Sequence, residues 1–237
     1  YDEKGNTRFL SIQFRPQYQY LDQNKEAEER IYEGETPGVS YGDIAERYYT
    51  VGQYMKEVKD VSKAMVAAGD SYICDEYLNA MGSPEAESVY VLHDLNNDGI
   101  EEFFIGLKFN YDTPYYVIYD VYTWKDGRAY QLMRGIGYRN GSCKICENGV
   151  IEDNYSGSAW DGQTLYHILP EGGIELETID SVSSRRDGTV QSYYHWNELI
   201  DENSLQTILE QYQPESVTYV DCNRETIEQL RLSGIRK

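Results

Sequence analysis

The segment Asp94-Leu95-Asn96-Asn97-Asp98-Gly99-Ile100-Glu101-Glu102 constrains this chain more than any other. It places turn-forming Asn, Asp and Gly residues between two β-branched and aromatic runs, Val89-Tyr90-Val91-Leu92 and Phe103-Phe104-Ile105, neither of which has a helical period. The flanks read as two strands and the segment as the turn of their hairpin. Counting Asp94 as position one, side-chain oxygens fall at one, three, five and nine. Glycine stands at six, where a sharp turn needs it, and the Ile100 carbonyl is available at seven. These are the parts of a calcium site, since that ion takes about six to eight oxygens in irregular geometry. Asp94, Asp98 and Glu102 on one short turn repel each other unless a cation screens them. The helix-loop-helix calcium hand is excluded, because its bidentate acid at position twelve is here Ile105.

At these residues the chain resembles the strand-loop-strand calcium motif, Asp-x-Asn/Asp-x-Asp-Gly-x-x-Asp/Glu, of FG-GAP and integrin-type repeats. It is also similar to the Asp-x-Asn-x-Asp-Gly-x-x-Glu-Leu-Leu-Ile segment of secreted lipoproteins of Gram-positive anaerobes. The resemblance implies calcium as cofactor, held by the side chains of Asp94, Asn96, Asp98 and Glu102 and the carbonyl of Ile100. It also implies an extracellular or cell-envelope-anchored location. Glu101 stands where such segments often carry proline, at a position that need not be a ligand. The loop occurs once, and a propeller needs one repeat per blade, so a propeller is not expected.

The rest of the chain reads as an α+β fold. Residues 1–40 form an arm or linker, and a single domain is expected over 41–237. From Asp43, a good N-cap, Ile44, Tyr48, Val51, Met55, Val58 and Met65 keep a three-four spacing that predicts one amphipathic helix ending near Gly69. Asp70 caps a second, with Ile73, Tyr77, Leu78 and Met81 inward and Gly82-Ser83-Pro84 as its stop, so helices are expected over 43–82. Beyond Pro84 the period changes to two. Strands are expected near 88–93, 102–109, 115–124 and 128–133, then near 143–146, 149–154, 164–169, 173–182 and 190–196. They read as one antiparallel meander of hairpins, with the N-terminal helices covering it. Two docking helices close the chain over 201–234, capped by Asp201 and Asn223.

Composition limits the partners. Lys and Arg number 21 against 41 Asp and Glu, a formal charge of −20, which repels phosphate backbones and anionic lipid. Nucleic-acid binding and direct membrane insertion are set aside. Tyrosine supplies 24 residues against 5 phenylalanines, which suits half-exposed strand positions or a surface that binds carbohydrate or an extracellular protein. The segment Ser156-Gly157-Ser158-Ala159-Trp160-Asp161-Gly162 reads as a loop whose Trp160, with Tyr155 just before it, could stack on a sugar ring. Cys143 and Cys146 make a C-x-x-C on a strand, where residues three apart face opposite ways, and with Cys74 and Cys222 they leave disulfide pairing open. The three histidines, 93, 167 and 195, each stand alone among strand residues. No nucleophile elbow, phosphate loop or zinc helix motif occurs. The reading is a calcium-binding, non-catalytic module of a secreted or cell-surface protein. The alternative is an extracellular hydrolase using a carboxylate pair.

Overall fold

The computed structural model describes residues 40–68, 73–136, 143–147, 149–156, 160–169, 174–183, 190–196 and 198–233. The arm expected over 1–40 therefore lies outside the described residues except for Ser40. The fold is α+β, with helices and antiparallel strands.

Helix α1 (Tyr41–Val58) begins slightly earlier than its sequence suggests. Ser40 is the N-cap, accepting the Asp43 N–H at 3.2 Å and donating its hydroxyl to the Asp43 carboxylate at 2.8 Å. Asp43 is thus the reciprocal partner of the cap and not the cap itself. The helix also stops at Val58, well short of Gly69. Lys59 turns left-handed (φ 52°), and Asp60 caps a separate helix α2 (Val61–Ala68) by accepting the Lys63 N–H at 3.2 Å. Apolar spacing ran on across this break because it records which side is buried and not whether the backbone is continuous. Helix α3 (Asp75–Met81) takes the Cys74 thiol as its N-cap acceptor, while the expected cap Asp70 lies outside the described residues.

The strands follow as β1 (Ala86–His93), β2 (Glu102–Phe109), β3 (Tyr115–Lys125), β4 (Arg128–Arg134), β5 (Cys143–Cys146), β6 (Val150–Ser156), β7 (Trp160–Ile168), β8 (Ile174–Ser183), β9 (Val190–His195) and β10 (Glu198–Ile200). Helix α4 (Glu202–Leu209), a two-residue strand β11 (Val220–Asp221) and helix α5 (Arg224–Ser233) complete the described chain. Asp201 and Asn223 cap α4 and α5, as the sequence suggests.

The strands do not form one meander. They divide after β4 into a five-stranded sheet, β11-β1-β2-β3-β4, and a six-stranded sheet, β10-β9-β8-β7-β6-β5. Tyr41, Ile44, Tyr48 and Tyr77 from the helices pack on Phe103, Ile105, Leu107 and Tyr122 of the first sheet. Its other face, through Val91, Phe104, Ile118 and Val121, packs on Ile145, Ile151 and Ile168 of the second sheet. The far face of the second sheet is covered by Leu205 of α4, against Cys146, Val150, Leu165 and Ile179. The order is therefore helix, sheet, sheet, helix. This is why β2 is buried on both faces at nearly every position. Cys143 faces the cluster between the sheets and Cys146 the cluster under α4; all four cysteines are buried thiols.

Candidate functional site

The calcium-type loop joins β1 to β2, which pair in strict register from Ala86↔Phe109 to His93↔Glu102. Asn97 (φ 58°) and Gly99 (φ 86°) make the reversal. The side chains of the loop curl inward. Asp94 Oδ1 and Asn96 Oδ1 both accept the Asp98 N–H, each at 3.1 Å, so positions one and three meet over one donor. Asp94 Oδ2 accepts the Gly99 N–H at 2.9 Å, and Asp98 Oδ1 accepts the Ile100 N–H at 2.7 Å. Asn96 Nδ2 donates to Asp98 Oδ2 and to the Leu169 carbonyl, both at 3.1 Å, the second tying the loop to the end of the second sheet. Leu95 is buried in the cluster between the sheets. The loop is thus pinned on an apolar base, with its polar side chains folded over its own backbone N–H groups.

Glu102 differs from the others. It is fully buried, and its oxygens accept the Leu95 N–H at 3.0 Å and the Thr123 hydroxyl at 3.1 Å. Burial pushes its carboxyl up to about 7 against the lowering effect of these two donors, and the charges of Asp98 and Asp94 push the same way. Among the described residues no Lys, Arg or His pairs with Asp94, Asp98 or Glu102, although ion pairs occur elsewhere in the chain. The donor set fits a hard cation in type, and a carboxylate oxygen that accepts one N–H keeps a second lone pair. In the arrangement described, however, no three His, Cys, Asp or Glu side chains converge as a metal group among the described residues. Asp94 and Asp98 lie in the loop while Glu102 turns beneath it.

The aromatic candidates fall elsewhere. The segment expected to be a loop is mostly strand: Tyr155 lies in β6 paired with Gly162, and Trp160 opens β7 paired with Val182. Residues 157–159 lie outside the described residues. Ser156 and Gly162 carry a turn signal in the sequence, yet both are paired in strands, Ser156 with Asp161 and Gly162 with Tyr155. A tryptophan shown to be exposed is Trp196, 44% accessible and left-handed (φ 52°) at the tip of the β9–β10 hairpin.

A cluster that the sequence did not disclose surrounds Glu177 of β8. His167 Nε2 lies 2.9 Å from one of its oxygens, His195 Nε2 lies 2.7 Å from the other, and the Tyr212 hydroxyl donates at 2.7 Å. Two apparently solitary histidines thus share one carboxylate. Cross-strand register places them there: Leu165 faces Glu177 and Ile179 faces His195, so both histidines reach Glu177 on the diagonal of one sheet face. Only knowledge of that register could have found the cluster. The carboxylate engages both Nε2 atoms and the Tyr212 hydroxyl, so the arrangement clamps β7, β8, β9 and the segment after α4 together. Burial would raise the Glu177 carboxyl, but the three donors together hold it below the ordinary glutamate value. A depressed acid stabilises the fold above its unfolded value and loses that contribution as pH falls through its folded value. Glu177→Gln is therefore expected to cost about 2 kcal/mol at neutral pH, and urea titrations should show the difference from wild type shrinking below the glutamate range.

No family model, curated protein or solved structure matches this chain. Among the described residues no helix is long and apolar enough to cross a membrane.

Proposed function

We propose that the protein is a calcium-binding, non-catalytic module of a secreted or cell-surface protein, in which the ion stabilises the β1–β2 hairpin. The observation that carries this reading is the junction of Asp94 and Asn96 over the Asp98 N–H, in a loop whose carboxylates have no cationic partner among the described residues. The side chains of Asp94, Asn96 and Asp98 and the Ile100 carbonyl would hold the ion, and Glu102 would complete the set from below. Calcium would supply the positive charge that lets these carboxylates share one turn. Because all the ligands come from one local segment, the role is structural: the ion fixes the hairpin register. A site with three carboxylates and an amide suits the millimolar calcium found outside cells, and the net charge of −20 favours cation uptake.

Calcium at a hundred times its dissociation constant is expected to add about 2.7 kcal/mol, seen as a rise of several degrees in the thermal midpoint over a chelator-treated sample. Asp98→Ala should abolish the rise while leaving the circular dichroism of the folded protein unchanged. Identical melts of the wild type with calcium and with chelator would remove the proposal.

A further inference from the structure

The far end of the β2–β3 hairpin carries aromatic surface that the core does not use. Tyr111 and Tyr115 are 50% and 47% accessible, whereas Phe109 beside them is 7%. The three rings lie nearly parallel. Phe109 and Tyr115 have centroids 4.8 Å apart at 16°, Tyr111 and Tyr115 5.9 Å apart at 15°, and Phe109 and Tyr111 6.3 Å apart at 2°. Phe109 belongs to the core beneath the helices, so the two exposed phenols are stacked on a buried base. A prearranged aromatic surface loses little side-chain freedom when a ligand covers it.

Beside the rings is an open cleft lined by Glu85, Asn110, Tyr111, Asp112, Thr113 and Tyr115. Its floor is fixed by hydrogen bonds. The Asn110 N–H donates to the Glu85 carbonyl at 3.0 Å, Asn110 Nδ2 to Glu87 at 2.7 Å, and the Ser83 hydroxyl to the Glu85 carboxylate at 2.8 Å. The lining holds no Lys or Arg, which disfavours phosphorylated or carboxylated ligands. Glu85 and Glu87 already accept neutral donors. Asp112 is exposed and, among the described residues, has no hydrogen-bond or ion-pair partner. One free carboxylate, an amide, a hydroxyl and two ring faces match a ligand that is uncharged, has a flat apolar side and carries hydroxyls round its edge.

We propose that this ledge binds a neutral saccharide, with a pyranose ring stacked on Tyr111 and Tyr115 and its hydroxyls bonded to Asp112, Asn110 and Thr113. A cationic ligand would draw on the same rings but would meet a single unshared carboxylate. The site stands at the opposite end of β2 from the calcium-type loop, about 23 Å away at the usual rise of a strand, and does not depend on that loop.

The test is calorimetric titration of the full chain with cellohexaose, chitohexaose, xylohexaose and mannohexaose, with hexalysine as the cationic control. At least one neutral hexasaccharide is expected to bind with a millimolar or lower Kd. Tyr111→Ala should weaken that binding about tenfold, as the loss of one stacked ring does, and Tyr115→Phe, which keeps the ring, should weaken it far less. Tyr111 lies outside the buried clusters, so its alanine variant should melt like the wild type. Asp98→Ala should bind the sugar normally, which separates this proposal from the calcium reading. Failure of all four saccharides at millimolar concentration, binding indifferent to Tyr111→Ala, or tighter binding of hexalysine would each overturn it.

Discussion

Gly106→Ala is expected to cost about 3 kcal/mol or more, a larger loss than most single substitutions produce. A Cβ at this position would stand 2.2 Å from the Val117 carbonyl oxygen and 3.0 Å from Ile118 Cα. Both obstacles are main chain, so no rotamer change relieves them. Gly106 sits in β2, between β1 and β3, at the point where the β2–β3 register slips: Ile105 pairs with Asp120 and Gly106 with Ile118, leaving Tyr119 as the extra residue of a bulge. A bulge brings the two backbones into an unusual approach, and a residue without a side chain admits it. The comparison is Gly127→Ala. Gly127 has φ 78° in the β3–β4 turn, with nothing within 4 Å of the added Cβ. It should lose only about 1 kcal/mol, for backbone strain alone. Denaturant midpoints of the two variants are the measurement, and equal midpoints would show that the β3 backbone moves aside freely.

The same bulge turns Asp120 toward the helices, and Asp120→Ala is expected to cost about 3–5 kcal/mol. Asp120 is fully buried; it accepts the Tyr48 hydroxyl at 2.6 Å and the Gly135 N–H at 2.9 Å. Tyr48 in turn lies 2.9 Å from the Tyr122 hydroxyl, which accepts from Gln131 at 3.0 Å. Alanine would strand the Gly135 N–H and break this chain of bonds at its acceptor. Burial pushes the Asp120 carboxyl up to about 6, against the lowering effects of Tyr48, Gly135 and Arg134. Its folded value thus exceeds its unfolded one. The stability linked to this group is complete below the ordinary aspartate value and falls away as pH rises through about 6. Asp120→Asn keeps an oxygen for Gly135 and removes the titration. It should lose less than the alanine variant and should flatten the change in stability between the ordinary aspartate value and neutral pH. An asparagine variant with the wild-type pH profile would show that another group is responsible.

How much of this was legible in the chain differs by level. Strand positions from Ala86 to Arg134 were readable almost to the residue, because alternation and turn residues such as Asp126-Gly127 are local properties. The caps Asp201 and Asn223 were readable for the same reason, and so was the place of the Asp94–Glu102 segment as the turn of a hairpin. Each depends on residues within a few positions of one another, and the chain states them directly.

Only the tertiary structure decided what depends on pairing at a distance. It divided the strands into two sheets and made β2 an interior strand. It gathered His167, His195 and Tyr212 round Glu177, separated in sequence by 10, 18 and 35 positions. It also placed Glu102 beneath its loop, where Thr123 of the next strand holds it, and set Phe109 under Tyr111 and Tyr115. The physical reason is that a strand's period shows that a face is covered and does not name the cover. Register then fixes which side chains meet, and a single bulge such as that at Tyr119 re-aims every group around it.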